Sequence, residues 1–135
     1  MEKVHHLLCL FTRFLQKVIV MSTNLHPVLS IRLFRDEKCY GSGIHQLLQL
    51  VEECHSLRAA AQSMGMAYSK AWTIVRQCEA ELGFSLLHST TGGRHGGGAT
   101  LTTEAKALMS AYEQYCSRLR LAADELFRES FGDFL

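Results

Sequence analysis

The chain has 135 residues, 47% of them apolar, which suffices for one small globular domain and an extra helix or two. Its formal net charge of +1 neither favours nor opposes a nucleic-acid partner. Five cysteines without C-x-x-C spacing, and seven histidines without H-E-x-x-H or zinc spacing, argue against a disulfide framework and a metal site, and fit reduced thiols in a cytoplasmic protein.

In residues 1–21, Val4, Leu7, Leu8, Phe11, Phe14, Leu15, Val18 and Ile19 recur at helical spacing, interrupted by Lys3, Arg13 and Lys17. Those charges break both a membrane span and the apolar core of a signal peptide, so no membrane partner is expected. Three readings remain: a helix packing on the domain or its dimer mate, a surface-membrane helix, or sequence upstream of a start at Met21. The packing helix is favoured, and residues 1–24 are set apart as an amphipathic extension.

From Asn24 to Ser30, with the sole proline Pro27, the chain reads as a linker. Ile31–Arg35 alternates as a strand does, Asp36-Glu37-Lys38 turns, and Cys39-Tyr40-Gly41 returns as a short second strand. Ile44, Leu47, Leu48 and Val51 then mark one face of a helix ending near His55. Ser56 suits the N-cap of the next helix. That helix buries Leu57, Ala60, Ala61 and Met64 and ends at Gly65 in a left-handed conformation. A third helix spans 67–82, with Ala71, Val75, Cys78 and Leu82 inward, and stops at Gly83.

Two such helices joined at Gly65-Met66 fit a helix-turn-helix. The second would enter the major groove by its N-terminal end, presenting Tyr68, Ser69, Lys70, Thr73 and Arg76 to bases and backbone. Trp72 reads as a core or hinge residue. Residues 91–98 hold half of the chain's ten glycines and lie between Leu86-Leu87 and Thr100-Leu101, as the tip of a β-hairpin wing does. Arg58, Lys70, Arg76 and Arg94 against Glu79 and Glu81 leave this middle segment weakly positive, whereas the segment after it is acidic. The wing lacks the G-K-[ST] ending of a phosphate loop and precedes a strand rather than a helix, which disfavours nucleotide binding. No spacing pairs a nucleophile with a base, so no enzyme and no cofactor are expected.

From Thr102 the apolar positions Ala105, Leu108, Tyr112, Tyr115, Leu119, Ala122 and Leu126 alternate by three and four, a heptad seam that calls for a partner helix. A second copy is the simplest partner. Packing on its own domain or on residues 4–19 is the alternative.

The stretch Ser56-Leu57-Arg58-Ala59-Ala60-Ala61-Gln62-Ser63-Met64-Gly65-Met66-Ala67-Tyr68-Ser69-Lys70-Ala71-Trp72 resembles the N-terminal domain of the ModE-type molybdate-responsive regulators. Thr91-Gly92-Gly93, Gly96-Gly97-Gly98-Ala99 and Leu101-Thr102 resemble that family's wing, and Glu81-Leu82-Gly83 with Leu86 echoes the LysR-type winged helix. The resemblance covers roughly residues 28–128. It implies a mainly α fold with a small β wing: a winged helix-turn-helix over 25–101, and a long dimerisation helix with the C-terminal end over 102–135.

It further implies a dimeric, DNA-binding transcriptional regulator reading the major groove with 67–82 and the phosphates or minor groove with 86–101. The candidate DNA-binding residues are Ser56, Tyr68, Ser69, Lys70, Thr73, Arg76, Arg94 and His95. The candidate dimerisation residues are Leu108, Tyr112, Tyr115, Leu119 and Leu126. Ala67, Ser89, Thr90 and Glu104 depart from serine or basic residues common in the family, which predicts weaker or more salt-sensitive DNA binding. With no segment for an oxyanion-binding domain before Leu135, ligand control is expected from a separate oxyanion-sensing protein, from the dimer interface, or not at all. The alternative is a winged-helix protein-interaction module that does not bind DNA by itself.

Overall fold

A computed structural model describes residues 24–90 and 97–135. The expected helix over 1–24 and the wing-tip residues Arg94 and His95 lie outside them, Asn24 excepted. The described residues divide into a compact body, within Val28–Ala122, and a second unit that includes residues 24–27 and 123–135.

The body opens with β1 (Arg32–Phe34) paired antiparallel to β2 (Lys38–Gly41), with Leu33 opposite Tyr40. Helices α1 (Ser42–Cys54), α2 (Leu57–Ser63) and α3 (Tyr68–Leu82) follow. The antiparallel wing strands β3 (Leu87–Ser89) and β4 (Ala99–Leu101) lead into α4 (Thr103–Phe131). The architecture is the expected one, mainly helical with a small β wing.

Each boundary has a local cause. The α1 helix ends at His55, which takes the left-handed conformation at φ 54° while its N–H donates to the Val51 carbonyl at 2.8 Å. Ser56 caps α2, its Oγ accepting the Ala59 N–H at 3.2 Å. At the other end of α2, the Met66 N–H reaches the Ala61 carbonyl and the Gly65 N–H the Gln62 carbonyl, both at 3.0 Å. Gly65 supplies the positive φ, 66°, that this pairing requires. Gly83, at φ 82°, ends α3 in the same conformation.

The core forms where the helices converge. Tyr40, Leu47, Leu48, Val51, Ala60, Ala61, Ala71, Val75, Cys78 and Leu86 are almost wholly buried. The small side chains Ala60, Ala61 and Ala71 at the α2–α3 crossing leave room for close approach. Met64 and Leu82 pack half-buried at its edge.

The inward face of α4 is Ala105, Met109, Tyr112 and Cys116, all buried. Tyr112 therefore belongs to the core of its own chain: its hydroxyl donates to the Ile31 carbonyl at 2.8 Å, and its ring meets Tyr40 edge-on at 5.1 Å. Leu108 is half-buried against the same core. Beside them, His45 joins α1 to α4. A carboxylate only accepts, so the His45 Nε2–H donates to Glu113 Oε1 at 3.0 Å, and Nδ1 takes the Tyr40 hydroxyl at 3.0 Å. Burial pushes the Tyr40 and Tyr112 hydroxyls above the usual tyrosine range. In the second unit, Phe127 stacks on Phe131 at 4.9 Å and Phe131 meets Phe134 at 6.3 Å.

Candidate nucleic-acid interface

Helix α3 turns its buried side, Ala71, Val75 and Cys78, to the core. Tyr68, Ser69, Lys70, Thr73 and Arg76, the five residues read from the sequence as groove-facing, are all exposed. Ser69, Thr73 and Arg76 lie opposite the buried side, with Lys70 and Tyr68 on its two flanks. Ala67, the N-cap, offers no side-chain hydrogen bond, as expected where an alanine replaces serine.

Their chemical freedom differs. The Lys70 ammonium enters no ion pair among the described residues. The Thr73 hydroxyl donates to the Ser69 carbonyl at 2.9 Å and keeps its acceptor capacity. Ser56 spends an acceptor lone pair on its cap and keeps its hydroxyl proton. Arg76 is the most committed. Its guanidinium stacks over Trp72 at 4.2 Å and donates to Glu79 Oε2 at 2.8 Å. Trp72 itself is half-buried and packs against the core.

The wing is tied to the helix-turn-helix at two points that sequence pattern did not reveal. Glu79, nearly buried, accepts the Leu86 N–H at 2.7 Å and, more weakly, the Leu87 N–H at 3.4 Å through Oε1. The start of the wing thus hangs on the recognition helix. On the returning strand, the Ala99 N–H donates to the His55 carbonyl at 2.9 Å. Gly98 lies in the same contact, where a Cβ would stand 3.1 Å from Thr90 Oγ1 and 3.3 Å from the His55 oxygen. Thr102 closes the base. Its hydroxyl donates to the Ser85 carbonyl at 2.7 Å and accepts the Ala105 N–H at 3.0 Å, capping α4. The Glu79 carboxylate has no helix-periodic signature. Gly98 was visible only as one glycine among several.

Between α2, α3 and the wing lies a cleft of about 130 Å³, with Arg58, Tyr68 and Trp72 on one wall and Ser89, Thr90 and Gly98 on the other. A recognition helix, a wing and a polar cleft between them form a surface that can straddle a groove and its phosphates.

Residues 45–106 match the sequence model of the bacterial regulatory helix-turn-helix proteins of the lysR family. That match takes in α2, α3 and both wing strands, the winged helix-turn-helix described above. The Transcriptional regulator ModE of Haemophilus influenzae is 34% identical over 68 residues, 50% of this chain and 27% of that protein. The Molybdenum-pterin-binding protein MopB of Rhodobacter capsulatus is 35% identical over 66 residues, 49% of this chain and 24% of that protein. The chain therefore spans about a quarter of the length of these relatives. A solved CbnR_DBD–DNA complex aligns at TM-score 0.49 and 19% identity, covering 65% of this chain and 95% of that one. Among the described residues, no helix is long and apolar enough to cross a membrane, and no cluster of potential metal ligands occurs.

Proposed function

We propose that this LysR-like helix-turn-helix chain is a DNA-binding transcriptional regulator that acts as a homodimer. The observation that carries the DNA reading is the exposure of Tyr68, Ser69, Lys70, Thr73 and Arg76 along a helix to which the wing is braced through Glu79. In this reading α3 lies in the major groove. Lys70 contacts guanine or phosphate, Ser69 and Thr73 hydrogen-bond to bases or backbone, Tyr68 packs on a sugar or thymine methyl, and Ser56 donates to a phosphate. Arg76 reaches the backbone from its stack on Trp72, while Arg94 and His95 follow the phosphates from the wing tip. Any ligand control comes from a separate oxyanion-sensing protein or from the dimer interface.

Dimerisation is supported by apolar side chains exposed along α4. Ala111, Tyr115, Arg118, Leu119 and Ala122 line an open groove of about 560 Å³, and Tyr115 is 54% exposed. With Leu126 further along the helix, these residues form the outer seam. A second copy covers such a seam by symmetry.

Fluorescence anisotropy of the full chain on a random-pool DNA duplex tests the reading. For a protein neutralising six to ten phosphates, affinity should fall by about 10³–10⁵ between about 50 and 200 mM salt. Absence of binding at the lower salt would overturn it and favour a protein-interaction role for the same face.

A further inference from the structure

Two arginines of the interface stack on aromatic rings, and they are in opposite states. Arg76 over Trp72 has its anion, Glu79. Arg58 over Tyr68, with its guanidinium carbon 4.4 Å from the ring centroid, enters no ion pair or side-chain hydrogen bond among the described residues. Arg58 lies on the supporting helix rather than the recognition helix, so groove geometry alone did not single it out.

Its stack aims it along the cleft at the foot of the wing. Among the described residues, no carboxylate lines that cleft. The Thr90 hydroxyl accepts the Gly98 N–H at 2.9 Å and donates to the Gly98 carbonyl at 3.2 Å across the wing, so both donors are spent. What remains there is donor-rich: the Arg58 fork and the hydroxyls of Ser89 and Tyr68. A donor-lined, carboxylate-free recess takes an anion, and its volume suits one phosphate group, not a base pair.

We propose that Arg58, held in place by the Tyr68 ring, clamps one backbone phosphate of the duplex in this cleft; the proposal rests on the DNA-binding reading above. The contact fixes the register of α3 and the wing on the backbone and reads no base.

The test measures the slope of log affinity against log salt on the random-pool duplex for the full chain, Arg58→Ala and Arg58→Lys. Removing one phosphate contact should flatten the slope by about 0.9 and weaken binding equally on all sequences. Arg58→Lys keeps the charge, so it should keep the slope, with some loss of affinity because the planar fork is gone. An unchanged slope in Arg58→Ala, or the same flattening in both variants, would overturn the proposal while leaving wild-type DNA binding intact. A wild-type chain that does not bind DNA would overturn the parent reading and this inference with it. Titration with inorganic phosphate distinguishes the remaining source: saturable binding lost in Arg58→Ala, with the DNA slope unchanged, would make the cleft a free-anion site instead.

Discussion

Glu79 is the residue whose loss should separate the wing from the recognition helix. Its Oε1 accepts the Leu86 N–H at 2.7 Å, and Leu86 is fully buried, so without the carboxylate this donor faces no replacement from solvent. A hydrogen bond to a charged acceptor contributes about 1.5–3 kcal/mol, and an orphaned buried donor costs about 1–3 kcal/mol. The Arg76 ion pair adds little, because Arg76 is 55% exposed and such pairs contribute about 0.2–1 kcal/mol. Alanine is the better helix former, which returns a few tenths of a kcal/mol. Glu79→Ala should therefore destabilise the fold by about 2–3 kcal/mol, on the order of 10 °C in Tm for a domain this size. Glu79→Gln keeps an oxygen for Leu86 and should cost about 1 kcal/mol, whereas Arg76→Ala should cost less than about 1 kcal/mol. Urea unfolding of the three variants measures all of these. A Glu79→Ala variant within about 0.5 kcal/mol of wild type would refute the bracing role. Glu79→Gln as damaging as Glu79→Ala would place the effect in the charge rather than in the bond to Leu86.

Gly98→Ala should cost about 1 kcal/mol and weaken DNA binding, because its Cβ crowds both Thr90 Oγ1 and the His55 carbonyl; chemical denaturation and anisotropy on one preparation check this. Burial pushes the Cys78 thiol up to about 12 from its ordinary 9.0, and the Tyr40 hydroxyl moves the same way. Both proton-bound forms are favoured by folding, so this stabilisation is complete below about pH 9. It is lost as pH rises toward 12, by up to about 1.4 kcal/mol per unit for each group. The urea midpoint should therefore drop from pH 8 to pH 10, and drop less in Cys78→Ala; equal drops would refute the assignment. Leu119→Asp places a charge on the outer seam of α4 without touching the core face. Light scattering should find it monomeric with an unchanged circular-dichroism spectrum, and a persistent dimer would move the interface elsewhere.

Most of the fold was legible because it is written in local chemistry. Ser56 as cap, Gly65 and Gly83 as left-handed ends, and the alternating strands before Gly41 each depend on neighbours within a few residues. The left-handed His55 was not legible, because histidine enters that region only as a minority choice. The seam on α4 was half legible for a physical reason. At 100° per residue, spacings of three and four fit two faces of one helix. The inner face is Ala105, Met109, Tyr112 and Cys116, and the outer one, about 70° away, holds Tyr115 and Leu119, while Leu108 at the same angle still packs half-buried on the core. A heptad count merges them, so Tyr112, which is tied to Ile31, was placed with Tyr115, which faces solvent.

What the pattern missed entirely is long-range and polar. The His45–Glu113 pair bridges elements 68 residues apart, and the His55 carbonyl and Glu79 carboxylate hold the two wing strands from opposite ends of the helix-turn-helix. The last two bonds tie both wing strands to the helix-turn-helix. The residues proposed to read bases can be named from their exposure on one helix. In that proposal, whether they meet the phosphates in register depends on Glu79, Gly98 and Arg58, none of which needs to touch a base.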